Sequence, residues 1–418
     1  MNDEEPASPM AAFENAPHRA GWHNRSGRHI AHTRKVDSFL AMDILAAANV
    51  REAKGEATFH LEVGQPGAPT PQRVRDAAVT MLSDGRIGYT EAAGTKALRQ
   101  RIARHYSDQY GQNVDPARVM VTTGSSASFS LAFLLLCNPG DRIALPRPGY
   151  PAYRNIVRAL GLEPVEIDLD PDEGWVLTPQ ALAKHHEDVP IRAVLIASPN
   201  NPTGTAMPPQ AVEKLTTYCK QAGIWYISDE IYHGLVFDGQ ECCALAYDED
   251  AIIINSFSKY YCMTGWRIGW MILPERLVRG AEALAQNLFI CAPSLSQTAA
   301  LAAFDATDEL ETIKAGYATN RERLLQTQKI LGLAGGPPPD GAFYMYWPID
   351  RLLRPGENSA ALCDTLLAET GIAMTPGNDF DPVHGDSFVR VSFAGSQETI
   401  AQAADLFEQW AKRRSNRL

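Results

Sequence analysis

The sequence predicts an α/β protein built around a largely parallel β-sheet with helices on both faces. From about residue 119 to residue 272, short runs that are apolar throughout alternate with helical stretches. Such runs are typical of parallel strands that are buried on both sides. Beyond about Pro293 the alternation stops, and a long helical stretch precedes mixed strands and helices. That change indicates a second, smaller α+β unit.

The chain begins with a segment that carries no structural period. Residues 1–33 are first acidic and proline-rich and then mix His, Arg, Gly and Ser. We expect a flexible tail, with neither a signal peptide nor a transit peptide. The spacing of its histidines is irregular, which disfavours a metal site.

Three elements are predicted before the alternation starts. Apolar residues recur at helical spacing over residues 36–54, and Gly55 ends that helix. A short strand follows over Phe59–Val63. A helix over Gln72–Ser83 is entered through Pro71.

The central and C-terminal elements follow from the same patterns. Strands are predicted over Val119–Thr122, Arg142–Leu145, Pro164–Ile167, Ala193–Ala197, Ile224–Ser228, Ala251–Ile254, Ile268–Ile272, Ala342–Tyr346 and Phe388–Phe393. Helices are predicted over Ser126–Cys137, Pro151–Leu160, Pro179–His186, Pro209–Ala222, about Ser296–Gly332, and Ser359–Thr370. We therefore expect a large domain over residues 66–295 and a discontinuous small domain over residues 34–65 and 296–418, against which the N-terminal helix packs.

Composition excludes several classes of function. The 418 residues are 45% apolar and 21% charged, as in soluble globular proteins, and the net charge of −11 disfavours nucleic acid and anionic membranes as partners. No apolar run is long enough to span a bilayer. The seven cysteines are odd in number and form no Cys-x-x-Cys pair, so we expect a reducing, cytoplasmic location and neither disulfides nor a zinc site.

The run from Asn255 to Lys259, followed by Arg267, is the most informative motif. A lysine amine becomes a usable nucleophile when burial or a nearby cation lowers its pKa. Arg267 supplies such a cation and, with Ser256 and Ser258, could bind a phosphate.

Other polar motifs also follow predicted strands, where parallel sheets carry their chemistry. Thr123–Ser126 opens a helix and could bind an anion or simply cap the helix. Tyr150, between Gly149 and Pro151, is either a plate for a planar ligand or a turn tyrosine. Asn201, before Pro202, is aimed into the cleft or belongs to a plain turn.

Two further motifs have similar alternatives. Asp229 and Tyr232 could hold a pyridinium proton and donate to a ring oxygen, or could be a helix cap and a packing residue. Arg390 is either a surface charge or a carboxylate clamp, and its alternation with Val389 and Val391 puts it on a different face from those valines.

Together the motifs resemble the class I/II aminotransferases, the fold-type I pyridoxal-phosphate enzymes. The resemblance runs in order from about Phe39 to the end. It is carried by Leu61–Pro66, Gly88–Thr90 with Gly94, Thr123–Ser126, Pro148–Pro151, Asn200–Gly204, Ser228–Tyr232, Ser256–Lys259, Thr264–Gly269 and the Val-Arg-Val-Ser run at 389–392. It implies a seven-stranded-type sheet in the large domain, the cofactor pyridoxal 5′-phosphate, amino acid and 2-oxo acid substrates, and a homodimer.

The resemblance also implies roles for individual residues. Lys259 is similar to the lysine that forms the Schiff base and shuttles a proton, and Asp229 to the partner of the pyridine nitrogen. Tyr232 and Asn201 resemble the donors to the ring oxygen, and Tyr150 the stacked plate. The implied phosphate site comprises Ser125, Ser126, Ser256, Ser258 and Arg267, with Tyr89 reaching it from the neighbouring subunit. The implied carboxylate clamp is Arg390, supported by Asn201 and Gly64, and the Asn201–Pro202 bond is expected to be cis.

The amino donor is left open by the sequence. No second basic residue is evident for a substrate side-chain carboxylate, although Arg34, Lys35 and Lys96 are candidates, and the helix near Ser38 and Phe39 is expected to border the substrate side chain. The alternatives are another reaction on the same scaffold, namely a C–S β-lyase, a cyclising synthase or a racemase. A regulator is disfavoured by the short tail, and a nicotinamide enzyme by the lack of a G-x-G-x-x-G motif after the early strands.

Overall fold

The computed structural model describes residues 36–333 and 335–415. The tail at 1–33, with its histidines, and the candidates Arg34 and Lys35 lie outside these residues. Within them the helices are α1 (Leu40–Glu52), α2 (Gln72–Asp84), α3 (Lys96–Tyr110), α4 (Ser125–Leu136), α5 (Pro151–Ala159), α6 (Pro179–Asp188), α7 (Pro209–Ala222), α8 (Glu275–Leu288), α9 (Ser294–Ala303), α10 (Thr307–Leu331), α11 (Ser359–Thr370) and α12 (Gln397–Ser415). None of these helices is both long and apolar enough to cross a membrane.

The strands form three sheets. They are β1 (Phe59–His60), β2 (Val119–Thr122), β3 (Arg142–Arg147), β4 (Glu163–Asp168), β5 (Ala193–Ala197), β6 (Trp225–Asp229), β7 (Ile252–Ser256), β8 (Gly269–Ile272), β9 (Tyr344–Pro348), β10 (Ile372–Ala373), β11 (Thr375–Pro376) and β12 (Phe388–Ser392). The largest sheet has seven strands in the order β2-β8-β7-β6-β5-β3-β4. The smaller sheets pair β1 with β10 and arrange β11-β12-β9.

The seven-stranded sheet confirms the predicted α/β fold. Its strands from β7 to β4 are parallel, whereas β8 runs antiparallel to both β7 and β2. The strands β2, β5, β6, β7 and β8 are buried along almost their whole length, because apolar layers cover both faces of the sheet. This burial is the physical reason for the continuous apolar runs in the sequence.

A separate apolar cluster lies around the β11-β12-β9 sheet. It gathers Leu61, residues of α10, α11 and α12, and the three residues Ile231, Tyr232 and Leu235 from the loop after β6. The cluster thus brings the start and the end of the chain together over the carboxyl end of β6. The division into large and small domains stays a prediction.

Several local expectations were wrong. The helices α3, α8 and α12 were not predicted, and the long helical stretch from 296 to 332 is two helices separated at residues 304–306. Phe304 lies in that break and packs in the core beside the large sheet. The guanidinium carbon of Arg101 lies 4.3 Å from the centroid of the Phe304 ring. β1 has only two residues because its partner β10 has two.

Candidate active site

The carboxyl ends of the central strands bring most of the predicted residues together. β6 ends at Asp229 and β7 at Ser256, while α4 begins at Ser125 directly after β2. The charges that act on the Lys259 amine are those of Arg390, Arg267 and Asp229, so residues from four chain segments lie around one centre.

Lys259 is half-buried in the loop after β7, and its Nζ donates a hydrogen bond to the carbonyl oxygen of Gly64. Burial is the main cause that lowers the pKa of Lys259 to about 7; the positive charges of Arg390 and Arg267 contribute to this lowering, and the charge of Asp229 opposes it. A substantial fraction of this amine is therefore neutral near pH 7, which is what a nucleophilic lysine needs.

Asp229 is 2% exposed and fully desolvated at the end of β6. Burial raises its pKa to about 6, and hydrogen bonds from the Tyr153 hydroxyl and from the Ile231 N–H, 3.1 Å from Oδ1, oppose the rise. The carboxyl group is thus fixed at both oxygens and is suited to a partner that carries a positive charge.

Tyr232 lies beneath the lysine and is 4% exposed. Its hydroxyl is 2.9 Å from the hydroxyl of Tyr344, and the lysine Nζ is 5.8 Å from the Tyr232 ring centroid. Burial raises the pKa of Tyr232 well above its ordinary value, so the phenol stays protonated and can donate a hydrogen bond.

The predicted phosphate ligands lie on two adjoining segments. Gly124 precedes α4 with φ 79°, and a Cβ added there would lie 2.6 Å from the Arg267 Nη2. Arg267 is exposed, and its Nη1 donates to the Thr264 carbonyl oxygen at 3.0 Å. Ser125 is buried at the first turn of α4. The Arg267 guanidinium thus lies beside the N-terminus of a helix, where anions are stabilised.

The predicted phosphate-binding serines differ in their exposure and in the hydrogen bonds of their hydroxyl groups. Ser126 is exposed. The Ser256 hydroxyl donates to the Ile268 carbonyl oxygen at 3.0 Å and accepts from the Ser258 N–H at 3.1 Å. Ser256 therefore shapes the loop that carries Ser258 and Lys259.

Arg390 is buried, with 1% of its surface exposed. Its Nη1 donates to Asn201 Oδ1 at 3.1 Å, and its Nη2 donates to Thr375 Oγ1 at 3.2 Å and to the Glu62 carbonyl oxygen. The guanidinium carbon is 4.5 Å from the Tyr344 ring centroid and 4.7 Å from that of Phe380. These contacts exclude the alternative that Arg390 is a solvent-exposed surface residue.

The face of β12 that carries Arg390 is buried as well as the face that carries the valines. Val389, Arg390 and Val391 are all buried, since β12 is the middle strand of its sheet and is covered on both faces. The Nε of Arg390 is buried without a hydrogen-bond partner in the described part of the chain.

Tyr150 lies at the N-terminus of α5, beside the groups described above. Burial raises its pKa to about 12, and Tyr344, Arg390, Asp229 and Arg267 all act on it electrostatically. The ring meets Phe39 edge-on at 5.7 Å between centroids. The Asn201–Pro202 bond is cis, as expected.

Two predicted positions stay apart from this centre. Tyr89 is 83% exposed in the loop before α3, and Lys96 is exposed at the start of α3. Neither makes a described side-chain hydrogen bond to the residues above.

Sequence reasoning missed four residues. Tyr153 lies one turn after Tyr150 on α5, and this helical spacing was a usable signal. Tyr344, Thr375 and Asp379 had no local signal, because each reaches the site through pairing or packing with distant segments.

Comparison with known proteins gives a consistent result. Residues 57–407 match the family described as aminotransferase class I and II. A valine–pyruvate aminotransferase of Mycobacterium tuberculosis is 44% identical over 379 residues, which are 90% of this chain and 96% of the relative.

Solved structures agree with the sequence match. A crystal structure of an aminotransferase from Mycobacterium tuberculosis superposes with a TM-score of 0.89 at 43% identity, covering 93% of this chain and all of that one (100%). The aspartate aminotransferase of Thermus thermophilus with maleate superposes with a TM-score of 0.83 at 27% identity, covering 90% of this chain and 97% of that one. The chain belongs to the class I/II aminotransferases.

Proposed function

We propose that this aminotransferase uses pyridoxal 5′-phosphate to move the amino group of a neutral, apolar amino acid to a 2-oxo acid in a ping-pong cycle. The observation that carries this proposal is that the Lys259 amine, with a pKa of about 7, shares its surroundings with Asp229 and Arg390. No observation favours a β-lyase, a cyclising synthase or a racemase.

The residues present fit this cofactor. An aldehyde requires a neutral amine, which Lys259 supplies near pH 7. A pyridine nitrogen requires an acid held beside it, which Asp229 supplies. A phosphate requires cationic and N–H donors, which Arg267 and the first turn of α4 supply, with Ser125 and Ser258 adjacent.

When bound, pyridoxal phosphate supplies an aldehyde that condenses with amines and a ring that accepts electrons from the substrate α-carbon. Asp229 would keep the ring nitrogen protonated, and Tyr153 holds that carboxylate in place. Tyr232 and Asn201 would donate hydrogen bonds to the ring oxygen, and Tyr150 would contact the ring. Lys259 would take and return the proton at the substrate α-carbon.

Arg390 binds the substrate α-carboxylate with the support of Asn201 and the backbone at Gly64. Its guanidinium carbon lies 4.5 Å and 4.7 Å from two aromatic ring centroids, and a planar guanidinium can form two parallel hydrogen bonds to a carboxylate. The α-carboxylate is therefore the group that every donor and acceptor would present to Arg390.

A neutral side chain on the donor is supported by the charges near the clamp. Arg154, which like Arg390 acts electrostatically on Asp379, already has a partner: it donates to the Asp379 carbonyl oxygen at 2.6 Å. The side chains that flank the clamp are aromatic. A relative's designation as a valine–pyruvate enzyme agrees with such a donor.

The proposal is tested with the purified protein and single amino acids. Borohydride reduction of the coloured protein should attach the cofactor covalently to Lys259, as peptide mass spectrometry would reveal, and Lys259→Ala should prevent the attachment. Valine-type donors should bleach the visible band with a kcat/KM about tenfold or more above that of aspartate. A variant with alanine at 259 that turned over at the original rate would refute the assignment.

We also propose a homodimer in which Tyr89 serves the partner's phosphate site, in a reducing cytoplasm where all seven cysteines stay free as they are here. Large apolar side chains near Tyr89 are exposed, among them Val79, Leu82 and Ile87, which a second subunit could cover. Co-expressing Tyr89→Phe with Lys259→Ala chains tests the sharing. A mixed dimer should retain cofactor at its Lys259 site as tightly as wild type, whereas a Tyr89 that served its own subunit would leave that site weakened.

A further inference from the structure

The first turn of α1 is capped by a residue from the far end of the chain. Its N-cap residue, Phe39, makes no side-chain capping bond. The N–H groups of Leu40 and Ala41 donate instead to Asp379, at 3.3 Å to Oδ1 and 3.2 Å to Oδ2. A carboxylate at this position satisfies two of the orphan donors of the helix and interacts favourably with its dipole.

Other contacts hold the neighbouring residues. Ala41 and Ala48 are buried and Ile44 packs against the apolar clusters, whereas Met42 and Val50 are about half exposed, at 52% and 57%. Asp37, before the helix, pairs with Arg158 at 2.9 Å. Among the described residues, however, Asp379 is the acceptor for the Leu40 and Ala41 N–H groups, so its carboxylate is the polar partner of the first turn itself.

Asp379 is itself fixed to the substrate clamp. It is 2% exposed and ends the short turn Gly377–Asp379, which follows β11. β11 places Thr375 opposite Arg390, and the ring of Phe380 lies 4.7 Å from the Arg390 guanidinium. The capping residue and the clamp thus lie on two paired segments of the same sheet, the turn after β11 and the strand β12.

The capped turn carries Phe39 to the other side of the same site. The Phe39 ring meets the Tyr150 ring at 5.7 Å and 80°, and Tyr150 in turn meets Tyr153 at 5.3 Å. If the first turn frays, Phe39 loses the backbone that orients it, and the aromatic wall beside the clamp opens.

We propose that Asp379 is a positioning residue for substrate specificity: by capping α1 across the site it seats Phe39 on Tyr150 and so forms the wall against which an apolar donor side chain packs. The proposal rests on the substrate site proposed above. It assigns Asp379 no contact with the reacting atoms.

The first arm of the test is hydrogen exchange on cofactor-free protein, which requires no substrate. Asp379→Ala should speed exchange of the Leu40 and Ala41 amides by about fivefold or more. Asp379→Asn, which keeps one acceptor oxygen, should give a smaller increase. Asp364→Asn, which neutralises an exposed carboxylate on α11 that makes no hydrogen bond among the described residues, is the matched control and should change nothing.

The second arm compares donors of different size on the holoenzyme. Asp379→Ala should raise the KM for valine and leucine about five- to tenfold with kcat little changed, but should leave the KM for alanine, whose methyl group is too short to reach the wall, near wild type. Phe39→Ala should have the same signature. The double variant should be no worse than either single variant, because both act through one wall.

Either arm can overturn the proposal. Unchanged amide exchange in Asp379→Ala would show that the carboxylate does not hold the helix. Equal KM increases for alanine and leucine, or additive effects of Asp379→Ala and Phe39→Ala, would show that Asp379 acts elsewhere. A wild-type protein with no transfer from any amino acid would refute the proposed function instead, and the exchange arm would still decide whether Asp379 is the cap.

Discussion

The Arg390 Nη1 lies 3.1 Å from the Asn201 Oδ1, although the two residues are 189 positions apart in the chain. Asn201 comes from the loop after β5, and Arg390 comes from the middle strand of a different sheet. Their contact joins the loop after β5 to the arginine that we propose as the carboxylate clamp.

Arg390→Lys should weaken carboxylate binding, because a lysine offers a point charge instead of a planar fork. We expect kcat/KM for an amino acid donor to fall about 10- to 100-fold, from the loss of charge-assisted hydrogen bonds. For a primary amine without a carboxylate the variant and the wild type should react alike. Arg279→Lys, at an exposed side chain, is the control. An equal loss for both kinds of donor would contradict the clamp.

Tyr153→Phe should change the pH dependence of catalysis. The Tyr153 hydroxyl lowers the pKa of the Asp229 carboxyl, so its removal raises that pKa. Since the ionised carboxylate is the active form, the acidic limb of kcat/KM against pH should move to higher pH by about one unit. Tyr218→Phe, on α7, should leave the profile in place. A shift to lower pH would refute the role given to Tyr153.

Asp229→Asn should stabilise the cofactor-free protein above pH 6. Burial raises the folded-state pKa of Asp229 from 3.8 to about 6, so the folded protein binds the extra proton between these values. The stability that this proton contributes is full below about pH 4 and is lost as the pH rises through about 6. Asp229→Asn has no carboxyl group to titrate at this position, so its stability does not fall over this pH range.

Urea unfolding at pH 4 and pH 8 measures the difference. The variant and the wild type should have similar free energies of unfolding at pH 4, and at pH 8 the variant should be more stable by on the order of 3 kcal/mol. With cofactor bound, the wild type should have the larger free energy of unfolding at pH 8, because the carboxylate then has its cationic partner. A variant that is less stable at pH 8 without cofactor would contradict the desolvation of Asp229.

Gly64→Ala should disturb the pair of Tyr232 and Tyr344. A Cβ on Gly64 would overlap the Tyr344 hydroxyl. The carbonyl oxygen of Gly64 also accepts a hydrogen bond from the Lys259 Nζ. We expect a loss of about 1–3 kcal/mol in the free energy of unfolding together with reduced activity.

Tyr344→Phe removes the overlapping oxygen, so it should restore part of the stability in the double variant. Gly316→Ala, whose added Cβ would find its nearest neighbour at 3.7 Å, should cost nothing. A double variant no more stable than Gly64→Ala would show that the overlap is not the cause.

The sequence was most informative where local pattern and chemistry coincide. Strands β2 and β5 and helices α7 and α11 have the expected bounds, because buried runs and proline or glycine boundaries are local signals. Asp229, Asn201 and Lys259 were singled out because each lies at or just after the end of such a strand. Helix α3 was missed: its surface is mostly polar, and its buried residues face a core that only the fold supplies.

The sequence by itself determined the α/β alternation and the strand ends that carry the polar motifs, and it predicted the roles of Lys259, Asp229 and Arg390. The tertiary structure decided the break between α9 and α10, the burial of Arg390, the bond from Tyr153 to Asp229 and the capping of α1 by Asp379. Each of these depends on residues far apart in the chain, and a local period cannot encode which distant carboxylate or ring will meet a given backbone once the sheets are packed.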